Sequence, residues 1–186
     1  MDNNFKYNPA NKPEPVRIEQ VFAEKPAGGM IKAPAFDILP TTAVGKNADG
    51  TYSPIKAYRL VKAVGNGDTQ IHIEKNSGVK AGDYIAYGKK AVGCSTVYSQ
   101  YPDYDQVTLS AAMGVAIPAD AVLYQAKEIS ENAAEPILTP LYVIGNYVEG
   151  GDGDKSVRLI NGANLRKETA CIGEDIAALL PAITLV

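Results

Sequence analysis

The one histidine of this chain, His72, ends the string Thr69-Gln70-Ile71-His72. Such a string serves acyl-shift chemistry only when a Cys or Ser heads the domain, and none is placed there. His72 therefore reads as a lone side chain on the polar face of a strand. Asp103 and Asp105 flank Tyr104 and invite comparison with a glycosidase acid pair. Two carboxylates on one short segment do not face each other across a bond, so a solvated turn is the plainer reading. Gly150, Gly151 and Gly153 lie among Glu149, Asp152 and Asp154, whose charges would repel a phosphate. The same run lacks the alternating acids of a calcium loop. Cys94 and Cys171 are too far apart in sequence for a zinc or redox motif and read as two reduced thiols, although a bridge between them is open. The expectation is a chain with no catalytic, cofactor-binding or metal-ligating residues. What remains is Tyr98, Tyr101 and Tyr104, within Tyr98-Ser99-Gln100-Tyr101-Pro102-Asp103-Tyr104-Asp105. Rings beside Gln and Asp can pack on the module that carries them, which is the plainer reading, or stack on a sugar or a protein surface.

The elements that must position this loop lie in residues 65–126. Gly65-Asn66-Gly67-Asp68 is a turn, and Gln70 to Glu74 alternate polar and apolar, the period of a half-buried strand. Asn76-Ser77-Gly78 turns the chain again. Val79-Lys80-Ala81-Gly82-Asp83-Tyr84 then delivers it into a short aromatic strand, followed by strands at 95–99, 105–109 and, after Ile117-Pro118-Ala119-Asp120, at 121–126. With no room for helices between them, these predict a compact antiparallel module.

The 186 residues, 46% hydrophobic, suffice for a real core, and 17 Gly and 12 Pro beside 11 Tyr favour many short strands joined by turns. A net charge of −3 lacks the basic footprint of nucleic-acid binding. No apolar run approaches the roughly 20 residues of a membrane-spanning helix, and residues 1–7 lack a signal peptide's apolar region, so a soluble chain without membrane partners is expected.

Residues 1–40 carry Pro9, Pro13, Pro15, Pro26, Pro34 and Pro40 and read as an extended arm with a short strand at 16–22. Its apolar residues, Val16, Ile18, Phe22 and Phe36 among them, suit a packed arm that clasps a neighbour. Residues 41–127 form the central module, with a polar loop at 45–50 and a strand at 55–64. Residues 128–186 follow, packed on that module or on another subunit. They hold a polar connector with a helical turn, an apolar strand at 141–148, a hairpin at Asn161-Gly162, a short helix at 173–180 and a tail. Asn-Gly between strand-like runs is the strongest short-range hairpin signal, because a type I′ turn needs two positive φ angles. The apolar tail, with Ile183, Leu185 and Val186, is expected to dock as an edge strand and to offer a partner surface. The fold class is mainly β: a compact antiparallel barrel or sandwich of short strands, an extended Pro-rich N-terminal arm and one short C-terminal helix.

Residues 79–84, Tyr104-Asp105-Gln106-Val107-Thr108-Leu109 with Met113-Gly114-Val115-Ala116, the Asn161-Gly162 region and the ending Leu179-Leu180-Pro181-Ala182-Ile183-Thr184-Leu185-Val186 occur in an order that resembles head decoration and head fibre proteins of tailed bacteriophages. The likeness runs from about residue 67 to the end, and the Pro-rich start has no counterpart. It implies a non-enzymatic β-rich protein on the capsid exterior, made in the host bacterial cytoplasm, that stabilises the shell or displays an attachment surface. Its implied partners are the major capsid protein, further copies of itself as a homotrimer, other head-fibre proteins and surface glycans.

Overall fold

The computed structural model describes residues 15–186. The fold is mainly β, with one short helix near the C-terminus. In chain order the strands are β1 (Ile18–Glu24), β2 (Gly29–Ile31), β3 (Ala43–Lys46), β4 (Tyr52–Pro54), β5 (Ala57–Arg59), β6 (Gln70–Glu74) and β7 (Tyr84–Tyr87). They continue with β8 (Lys90–Tyr98), β9 (Tyr104–Leu109), β10 (Val122–Ala126), β11 (Tyr142–Ile144), β12 (Lys155–Val157) and β13 (Leu159–Leu165), then helix α1 (Glu174–Ala177) and β14 (Ile183–Leu185).

The central strands form a six-stranded sheet in the order β5-β10-β7-β8-β9-β6, with every pair antiparallel. Its two edges meet. Leu60, just past β5, bridges Ile73 of β6, and the Val61 N–H donates to the His72 carbonyl at 2.8 Å, closing the sheet into a barrel. Closure removes the exposed edges that short strands otherwise leave open. Ile71, Ile73, Ile85, Val92, Val107, Leu109 and Leu123 fill the interior.

The eight-stranded sheet draws on both ends of the chain, in the order β1-β13-β11-β3-β4-β2-β12, with β14 lying parallel to β13. Residues 43–54, grouped with the central module by sequence, pair in this sheet instead. The turn at 47–50 joins β3 to β4 as a hairpin. Within the described region the arm contributes strands β1 and β2, paired to β13 and β12 of the same chain. The first fourteen residues of that arm lie outside the described residues.

A third apolar cluster joins the sheets. Along several strands successive residues enter different cores. In β7, Ile85 faces the barrel interior and Ala86 the junction; in β8, Val92 and Ala91 divide likewise; in β11, Ile144 faces the larger sheet's own core and Val143 the junction. Strands covered on both faces lose alternation and read as continuous apolar runs. The junction is rich in alanine (Ala43, Ala86, Ala91, Ala126, Ala163, Ala170), whose small side chains let the two layers approach.

The Asn161-Gly162 hairpin is corrected by the structure. Both residues sit inside β13, with Gly162 paired to Ala23 and Ala163 paired to Val21 on one side and Ile183 on the other. The glycine serves close packing, not a turn: a Cβ at this position would stand 3.3 Å from the Ala23 Cβ. The connector at 128–135 also forms no helical turn. Ser130 bridges Ala91 and Pro136 bridges Ala126, so this segment follows the barrel wall as irregular extended chain. The helix at 173–180 shortens to the single turn of α1, with Glu174 and Asp175 in it.

Candidate functional site

Strands β8, β9 and β6 place the tyrosine loop at one end of the barrel. Alternation along β9 sends Asp105, Val107 and Leu109 inward and leaves Tyr104, Gln106 and Thr108 facing outward. Tyr98 pairs with Gln106, and Gln106 in turn with His72, so Tyr98, Tyr104 and His72 share the outer face. The loop folds Tyr101 over this face. Tyr101 stacks on Tyr104 with centroids 4.7 Å apart and planes 22° apart. Tyr98 meets Tyr101 edge-on at 5.3 Å, and His72 meets Tyr104 edge-on at 4.7 Å. The result is a ladder of four rings, with the Lys62 ammonium 5.1 Å from the Tyr104 ring. Offset and edge-on pairs of this kind contribute about 0.5–1.5 kcal/mol each beyond their buried area.

A partly buried ion pair holds the loop. Asp105 is not part of a solvated turn. Its side chain lies on the inward face of β9, where Lys75 Nζ bonds it at 2.8 Å and also donates to the Ser99 carbonyl at 2.6 Å. Lys75 thereby ties the start of the loop to its end. Asp103 is exposed, as a turn residue should be. The Tyr98 hydroxyl donates to Gln100 Oε1 at 2.9 Å, and Tyr98 and Tyr101 remain 47% and 39% exposed. Burial, then the charge of Lys62, hold the His72 pKa below its usual value, which keeps the imidazole neutral near pH 7.

Sequence spacing singled out the three tyrosines but missed His72, Lys62 and Lys75 as their neighbours. His72 could be found only by pairing β6 with β9, since residues 75–103 separate the two strands in the chain.

The other residues expected to meet partners are distributed differently. Ile183 is buried in the junction core, against which Ile18 and Leu185 pack half-buried. The Phe36 ring covers Gly78, and only the absence of a Cβ there, at φ +69°, lets it approach. Val16, Phe22 and Val186 are exposed, with the Val186 N–H held by the Leu165 carbonyl at 2.8 Å. Cys94 and Cys171 are free thiols, both with pKa values raised by burial. Among the described residues no group of three or more His, Cys, Asp and Glu is placed to hold a metal ion. No buried side-chain nitrogen or oxygen among them lacks a hydrogen-bond partner.

No protein-family model, no curated protein and no solved structure matches this chain.

Proposed function

We propose that the protein is a non-enzymatic structural component of the exterior of a tailed-phage head, of the decoration or head-fibre kind. In this reading it self-associates as a homotrimer and holds its protein partner, the major capsid protein, through the ring ladder. The ladder is the observation that carries the reading. It is exposed, assembled before any partner arrives and fixed on a closed barrel by the Lys75–Asp105 tie. Tyrosines so arranged lose little side-chain entropy on binding, a property of the residues that dominate protein interfaces. The phage setting comes from the resemblance of residues 79–84, 104–116 and 179–186 to head proteins. Trimeric presentation would multiply a modest contact into firm attachment.

A protein surface fits the ladder better than a glycan does. Sugars stack on open ring faces, whereas Tyr101 and Tyr104 each give one face to the other. The exposed end ring, Tyr98, with Gln100 on its hydroxyl, supports the glycan alternative.

Cosedimentation with tailed-phage capsids tests the reading. The wild-type chain should pellet with particles, and Tyr101→Ala should weaken the association by about tenfold or more, the effect of losing a central aromatic anchor. Equal pelleting of the variant would remove the ladder from the interface. A chain that ignores capsids but binds a glycan array through Tyr98 would replace the proposal with the alternative.

A further inference from the structure

The chain holds two Asn-Gly dipeptides, Asn66-Gly67 and Asn161-Gly162. Glycine leaves the amide nitrogen that follows the asparagine unshielded and the backbone free to turn that nitrogen toward the carboxamide. The fold treats the two pairs in opposite ways. Asn161-Gly162 lies inside β13, where Gly162 is buried and paired with Ala23. Bringing the Gly162 nitrogen onto the Asn161 side chain would pull the strand from a ladder held by β1 on one side and, from Ala163 onward, by β14 on the other.

Asn66 and Gly67 are the central residues of the turn that Gly65 and Asp68 close. The Asp68 N–H donates to the Gly65 carbonyl at 3.1 Å, and the Gly65 N–H donates to Asp68 Oδ2 at 2.7 Å. These bonds brace the turn and leave its reactive groups free. Among the described residues neither the Asn66 carboxamide nor the Gly67 N–H has a hydrogen-bond partner. Both residues are exposed, and a Cβ at Gly67 would meet nothing within 4 Å. The one bond at risk when nitrogen and carboxamide meet is that from the Gly114 N–H to the Asn66 carbonyl, at 3.1 Å.

We infer that Asn66 is a site of spontaneous deamidation in the folded protein and that β13 protects Asn161 from the same reaction. The Gly67 nitrogen attacks Asn66 Cγ. The N–Cγ bond forms, the Cγ–Nδ2 bond breaks, and ammonia leaves with the proton of the Gly67 amide, giving a cyclic imide. Solvent water, the only co-reactant, then adds to one of the two ring carbonyls. Opening at one gives aspartate and at the other isoaspartate, in which the main chain runs through the side-chain carbon; nothing is oxidised or reduced. Either product replaces a neutral amide by a carboxylate in the turn that delivers the chain into β6. Isoaspartate also inserts a methylene into the main chain, which shifts the Asn66 carbonyl from the Gly114 N–H and loosens residues 110–116 from the turn. The inference does not depend on the role of the ring ladder.

Long incubation of the full chain in mildly alkaline buffer, followed by peptide mapping with mass spectrometry and enzymatic methylation of isoaspartate, tests it. In the folded protein the product should accumulate at position 66 about a hundredfold faster than at position 161, or more, because β13 must open before Asn161 can react. In urea the two rates should converge, since the dipeptides are the same. Gly67 lies outside the left-handed region and has open space around it, so Gly67→Ala fits the fold and should suppress the reaction at Asn66 by shielding the nitrogen. Equal rates at the two positions in the folded chain would overturn the inference, as would an Asn66 that reacts only in urea. A Gly67→Ala chain that deamidates as fast as the wild type would overturn the cyclic route.

Discussion

At the residue scale, Asp83 shows why a Gly-Asp turn precedes β7. Its carboxylate accepts from Lys56 Nζ at 2.7 Å, the Lys80 N–H at 2.9 Å, the Tyr58 hydroxyl at 3.2 Å and Gln125 Nε2 at 3.2 Å. One side chain thus ties the turn to β5, to the residue ahead of β5 and to β10. Asp83→Ala would leave the Lys56 ammonium nearly buried without its counter-charge, and urea unfolding should show a loss of roughly 3 kcal/mol. A loss below about 0.5 kcal/mol, the range of ordinary surface substitutions, would mean that the cluster contributes no more than an exposed pair. Two buried phenols set an alkaline limit. Burial, then the charge of Asp175, push Tyr124 from 10.0 up to about 12, and burial and Asp83 push Tyr58 higher still. A raised phenol pKa means that the unfolded chain ionises first. The stability these groups contribute is whole below about pH 10 and falls as pH rises through 12. The urea midpoint should therefore drop steeply above pH 10, and Tyr124→Phe should flatten that drop.

At the element scale, β13 and the tyrosine loop make opposite demands on local sequence. Asn161 lies exposed within a paired strand, so Asn161→Thr, which a type I′ turn would not tolerate, should change stability by less than about 0.5 kcal/mol. A larger loss, seen by thermal unfolding, would return these residues to a turn. Gly78 is the converse case. It needs its positive φ, and a Cβ would meet the Phe36 ring at 2.8 Å. Gly78→Ala should cost about 1–3 kcal/mol through backbone strain and displacement of that ring. In the loop, Lys75→Met removes the bond to Ser99 and leaves the nearly buried Asp105 without its cation. Amide exchange at 99–104 should accelerate while that of β10, across the barrel, stays slow; unchanged exchange in the loop would show that the rings alone hold it.

At the scale of the whole molecule, the junction core decides cooperativity. Ala86 and Ala91 from the barrel, Val143, Ile160 and Ala163 from the larger sheet, and Ile176 and Ile183 from the C-terminal segment pack in one cluster. Neither sheet can open without exposing this surface, so far-UV dichroism and tyrosine fluorescence should report one shared urea transition. Ala86→Leu would overfill the junction by about 1–3 kcal/mol and lower that transition for both signals together. Two separated transitions would mean that the sheets are independent units. The proposed homotrimer has its own readout, a light-scattering mass of three 19.7 kDa chains.

Much of this was legible in the sequence, because turns and period-two alternation act over a few residues. The strands around Ile71-His72-Ile73, Tyr84 to Tyr87 and Tyr104 to Leu109, the turns at 65–68 and 76–78, and the docking of the tail as a strand all follow from local pattern. Strand partnership does not, since every strand offers the same backbone donors and acceptors and only packing chooses among them. The tertiary structure alone joined β1 to β13 across more than a hundred residues, and the hydrogen bonds from its neighbours on both sides drew Asn161-Gly162 out of the turn its composition favours. Cross-strand pairing likewise set His72 beside Tyr104 and made a ladder of three tyrosines and a histidine that are scattered in the chain.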